Sequence, residues 1–487
     1  MTTLNTPVRL ARQFVLPDNT SARPPDRPSA KKQSNHITTH KKKMNYYSTN
    51  HNAPTATLEK AVIKGLAEDK GLYMPERIKP LPQEFFDTIE NLSFQEIAYT
   101  VADCFFGEDV DADSLKHIVY DTLQFDCPVV KVTDNIYTLE LFHGPTLAFK
   151  DVGARFMARL LQYFLRKERE AGCCCADDSS EVNVLVATSG DTGSAVANGF
   201  LGVDGIHVYV LYPKGKVSPI QECQFTTLGQ NITAIEIDGV FDDCQALVKS
   251  AFMDSELNAA MKLTSANSIN VARFLPQAFY YFNAYARMKR LGLADNLVMC
   301  VPSGNFGNIC SALFGKRMGL PVKRFVAANN ANYIFYNYLR TGEYHPKASV
   351  QTIANAMDVG DPSNFARIYE LYKADHAAIC ADISGATYSD AEIAGTMKRC
   401  YAATGYVLDP HGACGYQALA DLLQPGETGV FCETAHPAKF KDTVDGILST
   451  DIDIPARLRA FMEGKKCSVP LPKDFATFKT FLLKEKA

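Results

Sequence analysis

A lysine on a short turn between an apolar strand and an amphipathic helix can do Schiff-base chemistry, and Glu140-Leu-Phe-His-Gly-Pro-Thr-Leu-Ala-Phe-Lys150-Asp-Val-Gly supplies one. In a mostly apolar pocket the ammonium form loses solvation, its pKa falls, and the neutral amine becomes able to attack an aldehyde. A second segment, Leu297-Val-Met-Cys-Val-Pro-Ser-Gly-Asn-Phe-Gly-Asn308, reads as an apolar run, a Gly/Asn turn, and an apolar helix from Ile309 to about Met318. Gly304 and Gly307 allow a close approach to a phosphate, which the free N–H groups and positive dipole end of the following helix would stabilise. A third segment, Val182-Asn-Val-Leu-Val-Ala-Thr188-Ser-Gly-Asp-Thr192-Gly, repeats strand, turn and helix with three hydroxyls and a glycine. That loop suits a carboxylate better than a bulkier phosphate. Taken singly, each has a plainer reading: a solvated helix-start lysine, or a tight turn. Together they describe a pyridoxal 5'-phosphate enzyme acting on an amino acid, in which the cofactor is the electron sink.

The elements that must hold these segments follow from periodicity. Asp151 is the expected N-cap of the lysine helix, and Val152, Phe156, Met157, Leu160, Leu161 and Phe164 form its apolar stripe. Residues 44–135 read as mainly helical. Strand-like runs at Val182–Thr188, His207–Tyr212 and Ile232–Ile237 alternate with helices near Ser194–Phe200 and Gln245–Phe252, implying a small parallel sheet with crossover helices. A larger half follows, with an amphipathic helix through Phe274, Ala278 and Phe282, the phosphate strand at Leu297, and a last strand at Thr428–Cys432. The fold class is therefore α/β. Residues 136–154 and 265–463 make a large domain, 155–264 a small one, and 464–487 a C-terminal tail.

With 487 residues, 46% of them hydrophobic, the chain can bury more than one core. A formal charge of −4 gives no electrostatic case for nucleic acid or an anionic membrane. No apolar run approaches the roughly 18 to 20 residues that span a bilayer. The 14 cysteines are scattered, many in apolar periodic segments, which implies reduced thiols in a cytosol-like compartment. Adjacent Cys173, Cys174 and Cys175 lie in a polar loop and read as an insertion rather than a metal site. The first 43 residues hold nine Lys or Arg against two Asp. They read as an organelle transit peptide, a disordered tail, or an extension upstream of Met44, and the Arg-bearing stretch Val8–Leu16 keeps the first of these open.

The lysine segment resembles the cofactor-attachment motif of the serine/threonine dehydratase group. Five ordered stretches are more specifically similar to threonine synthases of the bacterial and fungal type: His143–Asp151, Ala187–Gly193, Ser303–Asn308, Asn355–Asn364 and Glu433–Phe440. Tyr46–Thr49 and Lys64–Pro75 resemble that family's opening pattern, so the likeness runs from about Met44 almost to the C-terminus. The resemblance implies the fold type II architecture of tryptophan synthase-like enzymes, with the ligands held between two domains. It also implies roles: Lys150 as attachment site and proton shuttle; Gly304, Asn305, Phe306, Gly307 and Asn308 on the cofactor phosphate; Thr434 facing the pyridine nitrogen. Thr188, Ser189, Gly190, Asp191 and Thr192 would close on the substrate carboxylate, and Asn270 and Arg273 would meet the phosphate of O-phospho-L-homoserine. His143, His411 and His436 lie in family-like motifs, where hydrogen-bonded structural roles compete with catalytic ones. The reaction implied yields L-threonine and phosphate; a lyase releasing a keto acid and a catalytically silent homologue are the alternatives. Monomer and homodimer both stay open, as do a cytoplasmic and an organellar location.

Overall fold

The computed structural model describes residues 43–172 and 181–485. The expectations for residues 1–42 and for Cys173–Cys175 lie outside those residues. Among the described residues no helix is long and apolar enough to cross a membrane. Chain entry is a three-stranded antiparallel sheet of β1 (Asn45–Ser48), β2 (Ala56–Thr57) and β3 (Tyr73–Pro75), in the order β2-β1-β3. Helices then fill the region to residue 122. Their starts are written in the sequence: Ser93 and Glu96 form a reciprocal capping box, and Asp111 caps the helix Ala112–Thr122.

The larger sheet contains β4 (Val129–Lys131), β5 (Ile136–Glu140), β10 (Leu297–Pro302), β11 (Arg324–Asn329), β12 (Ile383–Thr387) and β13 (Thr428–Glu433). Its order is β12-β11-β10-β13-β5-β4, parallel except where β4 runs against β5. The smaller sheet contains β6 (Val182–Ala187), β7 (Ile206–Pro213), β8 (Ile232–Asp238), β9 (Lys262–Ser265) and β14 (Val469–Pro472), ordered β14-β8-β7-β6-β9 and parallel throughout. β6 and β10 are buried along their whole length, as expected of strands covered on both faces.

Three sequence expectations change. The lysine helix starts at Lys150 itself with Phe149 at the N-cap, so Asp151 lies in the first turn and accepts instead from the Thr146 N–H and hydroxyl. The helix through Phe274 is interrupted. Val271–Phe274 is α-helical, Leu275–Gln277 is a 3₁₀ turn, and Ala278–Arg290 resumes the helix, because Pro276 brings no N–H and restricts the residue before it. β13 is not the last strand either. Residues 464–487, expected as a tail, contribute β14, whose Val469 pairs with Ile235, and a helix, Phe475–Glu485, whose Phe478 and Leu482 are fully buried with Ile235 and Leu247. Alternating half-buried and exposed residues in β14 mark an edge strand, a weaker signal than the fully apolar runs that announced the others.

Candidate functional site

Three of the proposed site segments leave the carboxyl ends of neighbouring strands β10, β13 and β5, and a fourth leaves β6 of the smaller sheet. Ligands of open parallel sheets bind at such strand ends. The Lys150 turn after β5 is closed onto the end of β13 by main-chain bonds: Phe149 donates to the Thr434 carbonyl at 2.8 Å, and His436 donates to the Leu147 carbonyl at 3.0 Å. These bonds hold Leu147 at φ 57°, an uncommon conformation for a side-chain-bearing residue that the surrounding structure must enforce. Behind the turn the whole apolar stripe from Val152 to Phe164 is buried, which fixes where the helix points its first residue.

Lys150 keeps 17% of its side-chain exposure, and its Nζ lies 4.0 Å from Asp191 Oδ2. Burial pushes its ammonium down to about 8; the Asp191 charge opposes this, while Lys439 and Arg273 add to it. The Asp191 carboxyl would be raised by burial, but Lys439 and Lys150 outweigh that and hold it well below the usual carboxylate range. Lys439 is fully buried and donates to Asp191 Oδ1 at 2.7 Å and to the Thr146 carbonyl at 2.9 Å. Gln221 Nε2 also donates to Asp191 Oδ1, at 2.8 Å. Asp191 therefore stands among cations.

The rest of that loop divides by what each group already does. Thr188 Oγ1 accepts from the Gly190 and Gly193 N–H groups at 2.9 and 2.8 Å, and so holds the loop onto the start of the helix Asp191–Phe200, whose N-cap is Gly190. Gly190 sits at φ 141°, and a Cβ there would fall 2.6 Å from the Gln221 amide, so only glycine fits. Ser189 and Thr192 are half-buried, and their hydroxyls bond to no protein group among the described residues. Those two hydroxyls and the helix start are free to receive an anion.

At the phosphate turn the helix runs Gly307–Arg317, two residues ahead of the expected start. Phe306, at φ 62°, precedes it. From Gly304 to Asn308 the main-chain N–H groups find no loop or turn acceptor among the described residues. They form the open donor cradle that a phosphate requires. The glycines are forced by packing as well: a Cβ on Gly304 would lie 2.7 Å from the Ala356 carbonyl, and one on Gly307 2.8 Å from Ser268 Cβ. The side chain of Asn308 is spent inside the turn, on the Ile309 N–H and the Pro302 carbonyl. Asn305 is braced by the Ser363 N–H at 2.6 Å and by Ser268 at 3.2 Å, and Asn364 bonds both Ser268 and the Asn305 carbonyl.

The two proposed contacts to a substrate phosphate separate. Asn270 is fully buried, gives its amide hydrogens to the Val62 and Ser265 carbonyls, and accepts from the Ala272 N–H; it has no donor left for a ligand. Arg273 is also buried, yet its Nε and Nη1 have no hydrogen-bond partner among the described residues. Desolvation pushes its guanidinium down to about 10. Unpaired buried guanidinium groups are costly, and an anion would remove that cost.

Two of the three histidines hold backbone. His411 Nδ1 faces Asp409 at 3.0 Å, and its Nε2 accepts from the Ala356 N–H at 3.1 Å, which seats the segment packed against Gly304. His436, pushed down to about 4 by burial and by His143, accepts from the Ala438 N–H and caps the turn that carries Lys439. His143 is more exposed and bonds Glu140 at 2.8 Å. Glu433 precedes Thr434, and burial followed by the Asp409 charge raises its carboxyl well above the usual range.

Sequence reasoning missed Lys439, Gln221 and Arg367. Arg367 is fully buried, stacks 4.0 Å from the Phe274 ring centroid, and donates to Asn364 Oδ1 and the Ser268 carbonyl, so it anchors the brace behind Asn305. Only Lys439 carried a signal, as a lysine in the apolar setting Pro437-Ala-Lys-Phe440.

A model of the pyridoxal-phosphate dependent enzyme family matches residues 128–431. Models of the threonine synthase N terminus and of the threonine synthase C-terminal region match residues 45–123 and 412–482. The chain is 43% identical over 441 residues to the threonine synthase of Haemophilus influenzae, an alignment covering 91% of this chain and 100% of the other. Among solved structures, threonine synthase from Escherichia coli superimposes with a TM-score of 0.83 at 41% identity, over 91% of this chain and 100% of that one. PLP-bound threonine synthase from Brucella melitensis gives 0.83 at 34% identity, over 91% and 99%.

Proposed function

The chain belongs to the threonine synthase family of pyridoxal-phosphate-dependent enzymes, and from this premise we infer the part each site residue plays. It converts O-phospho-L-homoserine and water to L-threonine and phosphate. The observation that carries the residue assignments is the convergence of a low-pKa lysine with an unsatisfied donor turn at the carboxyl ends of β5 and β10, the two strands that flank β13. These groups fit the cofactor: Lys150 offers an amine for its aldehyde, and the N–H groups from Gly304 to Asn308 offer donors for its phosphate. When bound, pyridoxal phosphate supplies an electron sink for charge left at the substrate α-carbon.

The protein supplies orientation and proton transfer. The hydroxyls of Ser189 and Thr192 and the helix start behind them receive the substrate carboxylate, and Arg273 meets its phosphate. Thr434 would face the pyridine nitrogen, where a neutral hydroxyl leaves that nitrogen less fully protonated than a carboxylate would. Loss of a γ-phosphate requires deprotonation at Cα and then at Cβ. Lys150, freed when substrate takes its place, is the base for both, because one flexible amine reaches neighbouring carbons. Incubation of the purified protein with O-phosphohomoserine, followed by identification of the organic product, tests this reading. Threonine is expected; a keto acid would assign the lyase alternative, and bound cofactor without turnover the silent one.

A further inference from the structure

We propose that Lys439 is a positioning residue for Lys150: it occupies one oxygen of Asp191, so that the carboxylate stays charged and aims its other oxygen at the Lys150 amine without locking it into an ion pair. The inference rests on the assignment of Lys150 made above. Two lysines share one buried carboxylate. Lys439 is fully buried and fixed by Asp191 Oδ1 at 2.7 Å and the Thr146 carbonyl at 2.9 Å. Gln221 completes the coordination of that oxygen from the helix Pro219–Thr226. Lys150 stands over the Phe149 ring, 5.4 Å from its centroid, and among the described residues its one ion-pair partner is Asp191 Oδ2, at 4.0 Å, beyond hydrogen-bond reach; it retains some exposure. When the pocket carries one cation too many, the less tightly held amine gives up its proton, and that amine is Lys150. The remaining charged neighbour is Arg273, which favours the same neutral form. Once Lys150 accepts a proton from substrate, Asp191 Oδ2 is the counter-charge within a short side-chain movement. The Lys439 contact to Thr146 further ties this charge balance to the turn that carries Lys150.

Titration of Lys150 in cofactor-free protein, by competitive acetylation with acetic anhydride and mass spectrometry of its peptide, reads the effect without turnover. Lys439→Met should raise the Lys150 midpoint by about one unit or more, and Asp191→Asn should lower it. A merely structural role predicts no such opposition of sign; midpoints that stay put, or move together, overturn the proposal. Lys439→Met/Asp191→Asn removes both charges of that pair at once, so neither is left buried without the other, and it is the variant to use if a single one fails to fold. In it the midpoint should fall below that of the unaltered protein, because Asp191 is the strongest charge acting on Lys150; an unchanged or raised midpoint overturns the proposal. Borohydride mapping of the cofactor adduct tests Lys150 as the attachment site separately, so the two failures are distinguishable.

Discussion

At the scale of single residues, the site sorts by what each polar atom already does. Thr192 has a free hydroxyl, whereas the Thr188 oxygen takes two main-chain N–H groups. Thr192→Ala should therefore leave cofactor absorbance intact and lower kcat/KM by about 1 to 3 kcal/mol, the value of a hydrogen bond to a charged group. Thr188→Ala should instead lower the unfolding free energy by about 1 to 2 kcal/mol, as loss of a side-chain bond to the first N–H groups of a helix does, measured by denaturant titration. If the two variants exchange phenotypes, the division of the loop is wrong. Lys150 adds a pH dependence. Its amine is neutral above about 8, so the rate of cofactor capture by cofactor-free protein should climb as pH rises through that value and flatten beyond it. Lys150→Ala should abolish both the covalent adduct and turnover.

At the scale of elements, the turns and strands that face the site could be read from the chain because each joins a mainly apolar run to a turn of small or polar residues. The strands at Val182, Ile206 and Ile232 and the phosphate strand at Leu297 all sit where their apolar runs placed them. What escaped was tertiary. The partner of Lys439 is Asp191, far away in the chain, and although the apolar setting of Lys439 hinted at burial, no local pattern names the carboxylate it would meet. The side chain of Asn270 has the chemistry of a ligand contact, but its hydrogens are claimed by Val62 and Ser265, which only the fold brings near. The break at Pro276 was visible as a proline, yet the apolar stripe passes through it unbroken. One prediction belongs here. Gly307→Ala would push a Cβ against Ser268 and open the donor turn, so affinity for pyridoxal phosphate should fall while affinity for unphosphorylated pyridoxal falls less; spectrophotometric titration with both ligands decides it.

For the whole molecule, Met44 is buried and its N–H bonds Asp109. A chain starting at Met44 should keep cofactor binding and activity, and loss of soluble protein on that truncation would show that residues 1–43 are needed by the body. Removing residues 464–487 should act differently. It uncovers the edge of β8, the pocket of Phe478, and Glu222 and Glu236, which Lys466 bridges at 2.5 and 2.8 Å. A lowered thermal midpoint and aggregation through the bared strand are expected. The same strand sets an order of assembly. Pairing Val469 with Ile235 closes a loop that contains the greater part of the larger sheet, and such a closure recovers its entropy only when that sheet is already compact. Docking of β14 is then a late event. Destabilising substitutions in it should hasten unfolding and leave the folding rate nearly untouched, so this edge governs how long the native enzyme lasts rather than how quickly it forms.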